Sequence, residues 1–434
     1  RDNTHTKYEQ KLYASSNLTI TEESTQGHYT ISKPDETQTY ADVLANINKR
    51  FNDFSLVANV GASIVNNRYE DLSYRGPIRE KGIPNVFNVF DLDNTKKKAR
   101  QDEWQEQTQS VFASVEVGWK SMLYLTLTGR NDWASQLANS STPCFFYPSV
   151  GLSGVISEML TLPEFIDYMK VRGSFSSVGM PYPRNLTSPT YEYDEANQQW
   201  KPKTHYPIKD LKPERTNSWE LGLDMRLFKD FSLGFSWYLA NTFNQTFDPK
   251  VSVSSGYSKI YLQTGYVRNS GVELSLGYGH TWNNHLHWES NFTLSHNKNT
   301  IKDLVTSYIH PETGLPITQN RLDVGGLGKA RFILKKGGTL GDLYTQSDLK
   351  RDNNGMVEID PSGALTTEDN LPDIKLGSVF PKANLAWNNR FEWRGISLSA
   401  LFTARIGGIA YSATQAAMDQ YGVSERSAQA RDNG

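Results

Sequence analysis

A single cysteine, Cys144, has nothing to pair with, so neither an internal disulfide framework nor a cysteine-based zinc site is available. Long hydrophobic runs are missing too. No stretch approaches the roughly 18 apolar residues of a membrane-spanning helix, and a mean hydropathy of −0.57 agrees. A β-barrel escapes this exclusion, because half of its strand positions face a wet lumen. An excess of either charge is also lacking: 45 basic and 47 acidic residues leave −2, without the basic footprint of a nucleic-acid binder. No nucleic-acid partner is expected.

What the chain does have is aromatic side chains, 12% of its residues, which suit strands and interfacial girdles. It also has alternation. The segment 214–244 shows this best: Trp219, Leu221, Leu223, Met225 and Leu227 alternate with Glu220, Gly222, Asp224 and Arg226. After Lys229-Asp230 the pattern resumes as Phe231, Leu233, Phe235, Trp237 and Leu239 against Ser232, Gly234, Ser236, Tyr238 and Ala240. A strict period of two is a strand signal, so this is a hairpin with one apolar and one small or polar face. Each arm holds about ten such residues, the length of a tilted strand crossing a bilayer. A soluble sandwich gives the same period, with the apolar face as its core.

The hairpin recurs along the chain. Residues 1–37 are polar, with room for a strand pair. Then 38–51 turns at Asn52-Asp53 into 54–64, and 105–119 joins 123–133 through Lys120-Ser121-Met122. Next, 145–156 pairs with 168–179, and 268–282 turns at Asn283-Asn284-His285 into 286–301. Finally, 329–336 meets 339–349 across Gly337-Gly338, and 382–393 meets 396–406 across Arg394-Gly395. The count is about fourteen strands after residue 37, joined by alternating short and long connections. All short turns thus fall on one rim and all long loops on the other, which Greek-key sandwiches do not do. The fold class expected is all-β: a transmembrane antiparallel up-and-down β-barrel with long extracellular loops.

Several motifs carry a family likeness. Gly129-Arg130-Asn131-Asp132-Trp133, Phe145-Phe146-Tyr147-Pro148-Ser149-Val150, Ile156-Ser157-Glu158, Val171-Arg172-Gly173-Ser174-Phe175, Leu211-Lys212-Pro213-Glu214-Arg215 and Asn269-Ser270-Gly271-Val272-Glu273 follow one another in order. Together with Gly341-Asp342-Leu343-Tyr344 and the stretch to Gly434, they resemble the SusC/RagA family of TonB-dependent outer-membrane importers. The resemblance implies a plugged barrel of about 22 strands, an N-terminal plug and a TonB box. It further implies a SusD-like surface lipoprotein as lid, the TonB complex as energy source, and residence in the outer membrane of a Gram-negative bacterium of the Bacteroidota. The cargo it implies is an oligosaccharide or a peptide. Signal peptide, TonB box and plug are not found at the start of the chain, nor an aromatic-ended strand at its end. Residues 1–434 are therefore expected to be a portion of the C-terminal barrel domain, with the plug domain absent and two strand edges unpaired. A passive porin or adhesin barrel, and a soluble all-β carbohydrate-binding protein, are the alternatives.

No catalytic constellation, cofactor or metal site is expected. Gly325-Gly326-Leu327-Gly328-Lys329-Ala330 lacks the spacing and the following helix of a phosphate loop, and reads as a loop entering a strand. His285 and His287 have no third ligand at suitable spacing, which leaves turn and strand-end roles. Asp352-Asn353-Asn354-Gly355 with Glu358 and Asp360 offers oxygen donors, but Met356 stands where a calcium loop needs Asp or Asn, so a plain Asn-Gly turn is expected. Glu220, Asp224 and Arg226 are expected to line the lumen beside the lipid-facing apolar stripe. Substrate contact is assigned to the loop 181–206, where Tyr182, Tyr191, Tyr193, Trp200 and Tyr206 stand among Asp194, Glu195, Asn197 and Gln198. Flat rings beside amides and carboxylates stack on sugars or grip peptides; the competing role is packing loops against one another or against a lid. Segment 67–104, with Tyr69, Tyr74, Phe87 and Phe90, reads as a second such loop.

Overall fold

A computed structural model of the chain describes all residues except 187–191, 195–198, 202–204, 207–211, 248–258, 261, 283–284, 310–315, 362, 364 and 433–434. An extended backbone cannot satisfy its own N–H and C=O groups, so each strand must pair with a neighbour. Here the strands are β1 (Asp2–His5), β2 (Tyr8–Leu12), β3 (His28–Phe51), β4 (Phe54–Pro77), β5 (Lys98–Trp119) and β6 (Leu123–Ala134). They continue as β7 (Cys144–Val155), β8 (Ile166–Met180), β9 (Glu214–Leu227), β10 (Phe231–Phe247), β11 (Leu262–Trp282) and β12 (Leu286–Asp303). Four strands then leave this series: β13 (Arg321–Leu327), β14 (Ala330–Lys335), β15 (Asp342–Thr345) and β16 (Ile374–Ser378). The chain returns to it with β17 (Ala383–Trp393) and β18 (Ile396–Ile406).

The series forms one antiparallel sheet of fourteen strands, in sequence order apart from β1 and β2, which lie end to end along β3. The sheet is open. Among the described residues, 39–51 of β3 have no partner on their other side and β18 pairs only with β17 and is exposed along its whole length, so the two unpaired edges expected from the sequence are present. Short turns follow β3, β5, β9, β11 and β17, with a ten-residue connection after β7 on the same rim. Arg394 and Gly395 both have positive φ, as a two-residue type I′ turn demands. The opposite rim carries the long connections, including 78–97, 181–213 and 304–382.

Three expectations are corrected. Segments 329–336 and 339–349 are not part of the wall. They contribute β14 and β15 to a separate sheet of order β13-β14-β15-β16. A short apolar run beside a Gly-Gly turn marks a strand of any sheet, and at four to six residues β14 and β15 are too short to cross a bilayer. The count of fourteen is kept by β1 and β2 from the first 37 residues. Nor is 67–104 all loop: β4 runs on to Pro77 and β5 starts at Lys98, in continuous register. Both faces of this extension carry polar residues, which removes the period that marks a strand. Lastly, Gly328 and Lys329 form the hairpin turn between β13 and β14, rather than a loop entering a strand.

Packed clusters lie at the long-loop rim. Val267 and Ile301, at the ends of β11 and β12, meet Leu304, Leu322 and Leu334 and so seat the β13–β16 lobe on the wall. Backbone bonds fix the join: Ile301 N–H donates to Gly338 O at 2.8 Å and Gly337 N–H to Ile301 O at 2.8 Å. Buried charge inside the lobe is paired. Arg321 grips Asp373 with two bonds of 2.6 and 2.9 Å while Lys335 approaches at 2.9 Å; this holds the carboxyl far below its usual range, against the opposing pull of burial. Burial alone would raise Asp342, yet Lys375 at 2.6 Å and Thr339 at 2.7 Å leave it lowered. A depressed folded value means stability that is present above the usual 3.8 and lost as pH falls through the folded value. Hydrogen exchange in 321–378 is therefore expected to accelerate as pH drops below 3.8, ahead of exchange in the wall strands once intrinsic rates are corrected. Equal protection of lobe and wall throughout the acid titration would contradict this.

Candidate functional site

Register sorts the side chains of the wall into two chemistries. One row of directly opposed residues reads Ile47, Ala58, Val115, Leu127, Val150, Phe175, Trp219 and Leu239, one from each of β3 to β10. The neighbouring row, on the other face, reads Asn48, Val57, Glu116, Thr126, Gly151, Ser174, Glu220 and Tyr238. Among the described residues nothing covers the apolar face: Trp219 is 54% and Leu221 56% exposed.

Aromatic rings border that apolar face. Along the short-turn rim Phe165 stacks on Phe228 at 5.5 Å, Phe231 meets Tyr278 at 4.7 Å, Tyr278 meets Trp288 at 5.1 Å and Trp288 stacks on Phe391 at 5.7 Å. Phe51, Phe54 and Trp119 hold the same level on β3 to β5. Higher up stand Trp133, Phe146 and the Phe175–Trp219 pair. From Leu123 to Trp133 the strand rises ten residues, which at about 3.3 Å each and a tilt of roughly 40° is about 25 Å, the height of the apolar band of an outer-membrane barrel.

The polar face is kept low by glycines. Phe112 lies over Gly61, Tyr124 over Gly118, Arg172 over Gly222 and Tyr238 over Gly271, each pair being direct register partners. A Cβ at any of these glycines would collide with the side chain above it. Resting on Gly222, Arg172 donates from Nη1 to Glu220 Oε1 at 2.8 Å and from Nη2 to Ser236 Oγ at 2.6 Å, with Asp224 Oδ2 at 3.9 Å from Nε. Glu220 and Asp224, singled out from the sequence, thus belong to one network, and Arg226 stands on the same face nearer the short-turn rim. Arg172 itself was missed as a site residue. The sequence shows only a cation in the motif Val171-Arg172-Gly173; its place directly opposite Gly222, between two acids, is set by the register. A hollow of about 590 Å³ adjoins the network, lined by Asp224, Ser236, Glu273, Ser295, Asn384 and Arg405. A second network joins Arg130 to Asp132 at 2.7 Å and to Ser110 at 2.7 Å, with the Tyr147 hydroxyl donating to Asp132 at 2.5 Å.

Tyr182 is 2% exposed, packed with Ala134, Leu137, Phe145 and Leu186, and so braces the base of the loop, the packing role weighed for these rings. Tyr193 and Trp200 are opposed in a small pair, Glu192–Asp194 with Gln199–Lys201. Tyr206 lies in His205–Tyr206, which pairs in parallel with Lys259–Ile260 of the next long loop. Tyr191, Glu195, Asn197 and Gln198 lie outside the described residues. On the strand extension Tyr69 stacks on Trp104 at 5.4 Å, and Arg184 places its guanidinium 4.1 Å from the Trp104 ring and 3.0 Å from Glu106. Phe87 packs edge-on against Tyr13 at 5.2 Å. Asp352 spends its carboxylate on its own turn, accepting from Asn354 N–H at 2.8 Å and Met356 N–H at 2.9 Å. His287 shares a hydrogen bond of 2.9 Å with Thr281.

The family profile described as "TonB dependent receptor-like, beta-barrel" matches residues 2–355. The chain belongs to that family. Its members are TonB-dependent receptors and transporters of the outer membrane of Gram-negative bacteria. This receptor-barrel chain is 23% identical over 339 residues to TonB-dependent receptor P39 of Formosa agariphila, covering 74% of this chain and 30% of that protein. It is likewise 23% identical over 350 residues to TonB-dependent receptor P26 of the same organism, covering 75% and 34%. The chain thus spans about a third of the length of these curated relatives. Among solved structures it is similar to the RagAB peptide transporter, with a TM-score of 0.70 and 17% identity, covering 92% of this chain and 44% of that one. The "closed-closed" state of the RagAB peptide importer gives 0.68 at 16%, covering 94% and 44%. At these identities the likeness establishes the fold, and it agrees with the SusC/RagA resemblance read from the motifs.

If Arg172 is seated on Gly222, the substitution Gly222→Leu should cost about 1–3 kcal/mol by overpacking. Gly151→Leu, on the same face where the nearest atoms lie 3.9 Å from a built Cβ, should cost clearly less. Urea titrations of the lipid-embedded chain measure both; equal losses would mean that the seat is not used.

Proposed function

We propose that this chain forms part of the wall of an active outer-membrane importer, SusC-like and powered through the TonB complex, which takes up peptides or glycans together with a SusD-like surface lipoprotein. The observation that carries this reading is the uncovered apolar face, about 25 Å tall and bordered by aromatic rings, backed by a polar face of seated side chains. Odd positions from Trp219 to Leu227 and from Phe231 to Leu239 meet lipid; Glu220, Asp224 and Arg226 line the lumen. Residues 1–434 supply a portion of the C-terminal barrel domain. The family membership supports TonB-dependent import, and the fold shared with a two-component peptide transporter supports a lipoprotein partner and an oligomeric cargo. Short turns such as Lys229-Asp230 then face the periplasm and the long loops face outward. Tyr191, Tyr193, Trp200 and Tyr206 are the proposed cargo contacts, and Tyr182 holds their loop in place.

Two experiments bear on this. Leu223→Arg should cost about 2–4 kcal/mol if its site lies near the bilayer midplane, whereas Gly234→Arg on the lumen face should cost little; folding titrations in lipid showing the reverse order would mean that the faces are inverted. Deleting 191–200 should impair uptake of the cargo or association of the lid. Leaving both at their original level would remove the loop from the mechanism.

A further inference from the structure

Three hairpins on the short-turn rim share a costly arrangement. In each, an aromatic residue is followed by a basic one in the left-handed backbone region: Trp119 then Lys120 at φ 51°, Phe228 then Lys229 at φ 65°, Trp393 then Arg394 at φ 46°. Glycine or asparagine occupies that region at least cost, and a long side chain pays a steric penalty there. The hairpin after β3 shows the ordinary solution, with Asn52 at φ 48°. Turn formation therefore gives no reason for lysine or arginine at these positions.

Their surroundings give one. Lys120 stands 5.4 Å over the Trp119 ring and Arg394 5.5 Å over the Trp393 ring, and Lys49 on the fourth hairpin stands 5.1 Å over Phe51. Trp119, Phe51 and Trp393 belong to the apolar face, and Phe228 joins it through Phe231 at 6.4 Å. Lys120 and Arg394 are thus set at the short-turn border of the apolar band, beside a ring that ends it, and Lys229 follows Phe228 at the equivalent turn position. Among the described residues no carboxylate lies within ion-pair distance of Lys229 or Arg394. The Asp167 carboxylate takes the backbone N–H of Lys229 at 2.6 Å and leaves its ammonium free. Lys120 has Asp53 at 3.6 Å, an exposed pair that is weak in water and open to exchange.

We infer that the short-turn rim is a collar for the phosphate groups of anionic glycerophospholipids, with Lys120, Lys229 and Arg394 as the phosphate-binding cations and Trp119, Phe228 and Trp393 as the rings that set their depth. An aromatic ring settles at the boundary between acyl chains and headgroups, and a cation one residue beyond it reaches the phosphate layer, where an anionic surface attracts it. The arrangement rests on the reading that the apolar face meets lipid. It adds which leaflet chemistry the short-turn rim selects.

The test uses the full chain reconstituted in vesicles carrying bromine on the acyl chains, either of phosphatidylglycerol or of phosphatidylcholine in an otherwise identical mixture, with tryptophan fluorescence as the readout. Stronger quenching by the brominated phosphatidylglycerol is expected. The triple variant Lys120→Gln, Lys229→Gln, Arg394→Gln should be quenched equally by both lipids while keeping the quenching by phosphatidylcholine. Equal quenching of the original chain by the two lipids, or a preference for phosphatidylglycerol that survives in the triple variant, would overturn the collar. Absence of quenching by either lipid would instead overturn the lipid-facing reading beneath it. Should the triple variant not fold, the single changes Lys229→Asn and Arg394→Asn relieve the backbone and should each lower the preference in a folded chain.

Discussion

In hydrocarbon an unpaired backbone N–H or C=O costs several kcal/mol, and the antiparallel ladder that meets this demand is the constraint on which the rest of the molecule depends. Pairing in strict register fixes which residues share a face. A slip by one residue would carry every leucine of β9 to the polar side and every acid to the apolar side. The register of β9 against β10 runs unbroken from Arg215 to Leu227, so the faces of this hairpin are determined along its whole length. Because each strand inherits its register from the last, the sorting persists from β3 to β10 without any packed core between them. The polar face then had to be made compatible with an open interior. Glycines opposite Phe112, Tyr124, Arg172 and Tyr238 do this by letting large side chains lie along the wall.

The wall was legible in the sequence because its period is two and its turns are chemically marked. Phe231 to Leu239, Asn52-Asp53 and Arg394-Gly395 all stand in the structure as their pattern implies. Legibility failed where the period no longer reports the environment. The extensions of β4 and β5 toward the long-loop rim carry polar residues on both faces, so Asn67, Glu70 and Glu103 hide a strand behind a polar sequence. The reverse happened at β14, where the apolar run Phe332-Ile333-Leu334 beside a Gly-Gly turn reads like another wall strand, but Leu334 packs against Ile301 and Leu304 in the separate sheet. Period records that a strand has two faces and is silent about which sheet it joins. The site was read in part for the same reason. Glu220 and Asp224 were visible on the hairpin, whereas Arg172, which binds them, enters only through the register of β8 against β9.

The two rims answer to different demands. The long-loop rim is where the chain concentrates its packing: the β13–β16 lobe is clamped to β11 and β12 by Ile301, and the base of the 181–213 loop is held by Tyr182 and by Arg184 against Trp104. Firm anchoring of loop bases suits a rim that must hold long connections over an opening, and the proposed cargo contacts are placed on those loops. The short-turn rim has little packing among the described residues, and its chemistry lies in rings and cations at one level. Between them the wall carries the polar networks of Arg172 and Arg130 on its low face.

The two-faced wall is tested most directly by a single-cysteine scan from Trp219 to Leu227 in a Cys144→Ser background, labelled in membranes with a water-soluble thiol reagent. Labelling is expected to alternate, with the positions of Glu220, Gly222, Asp224 and Arg226 reacting and those of Trp219, Leu221, Leu223 and Met225 protected. Uniform labelling along the strand, or protection of the even positions in place of the odd ones, would contradict it.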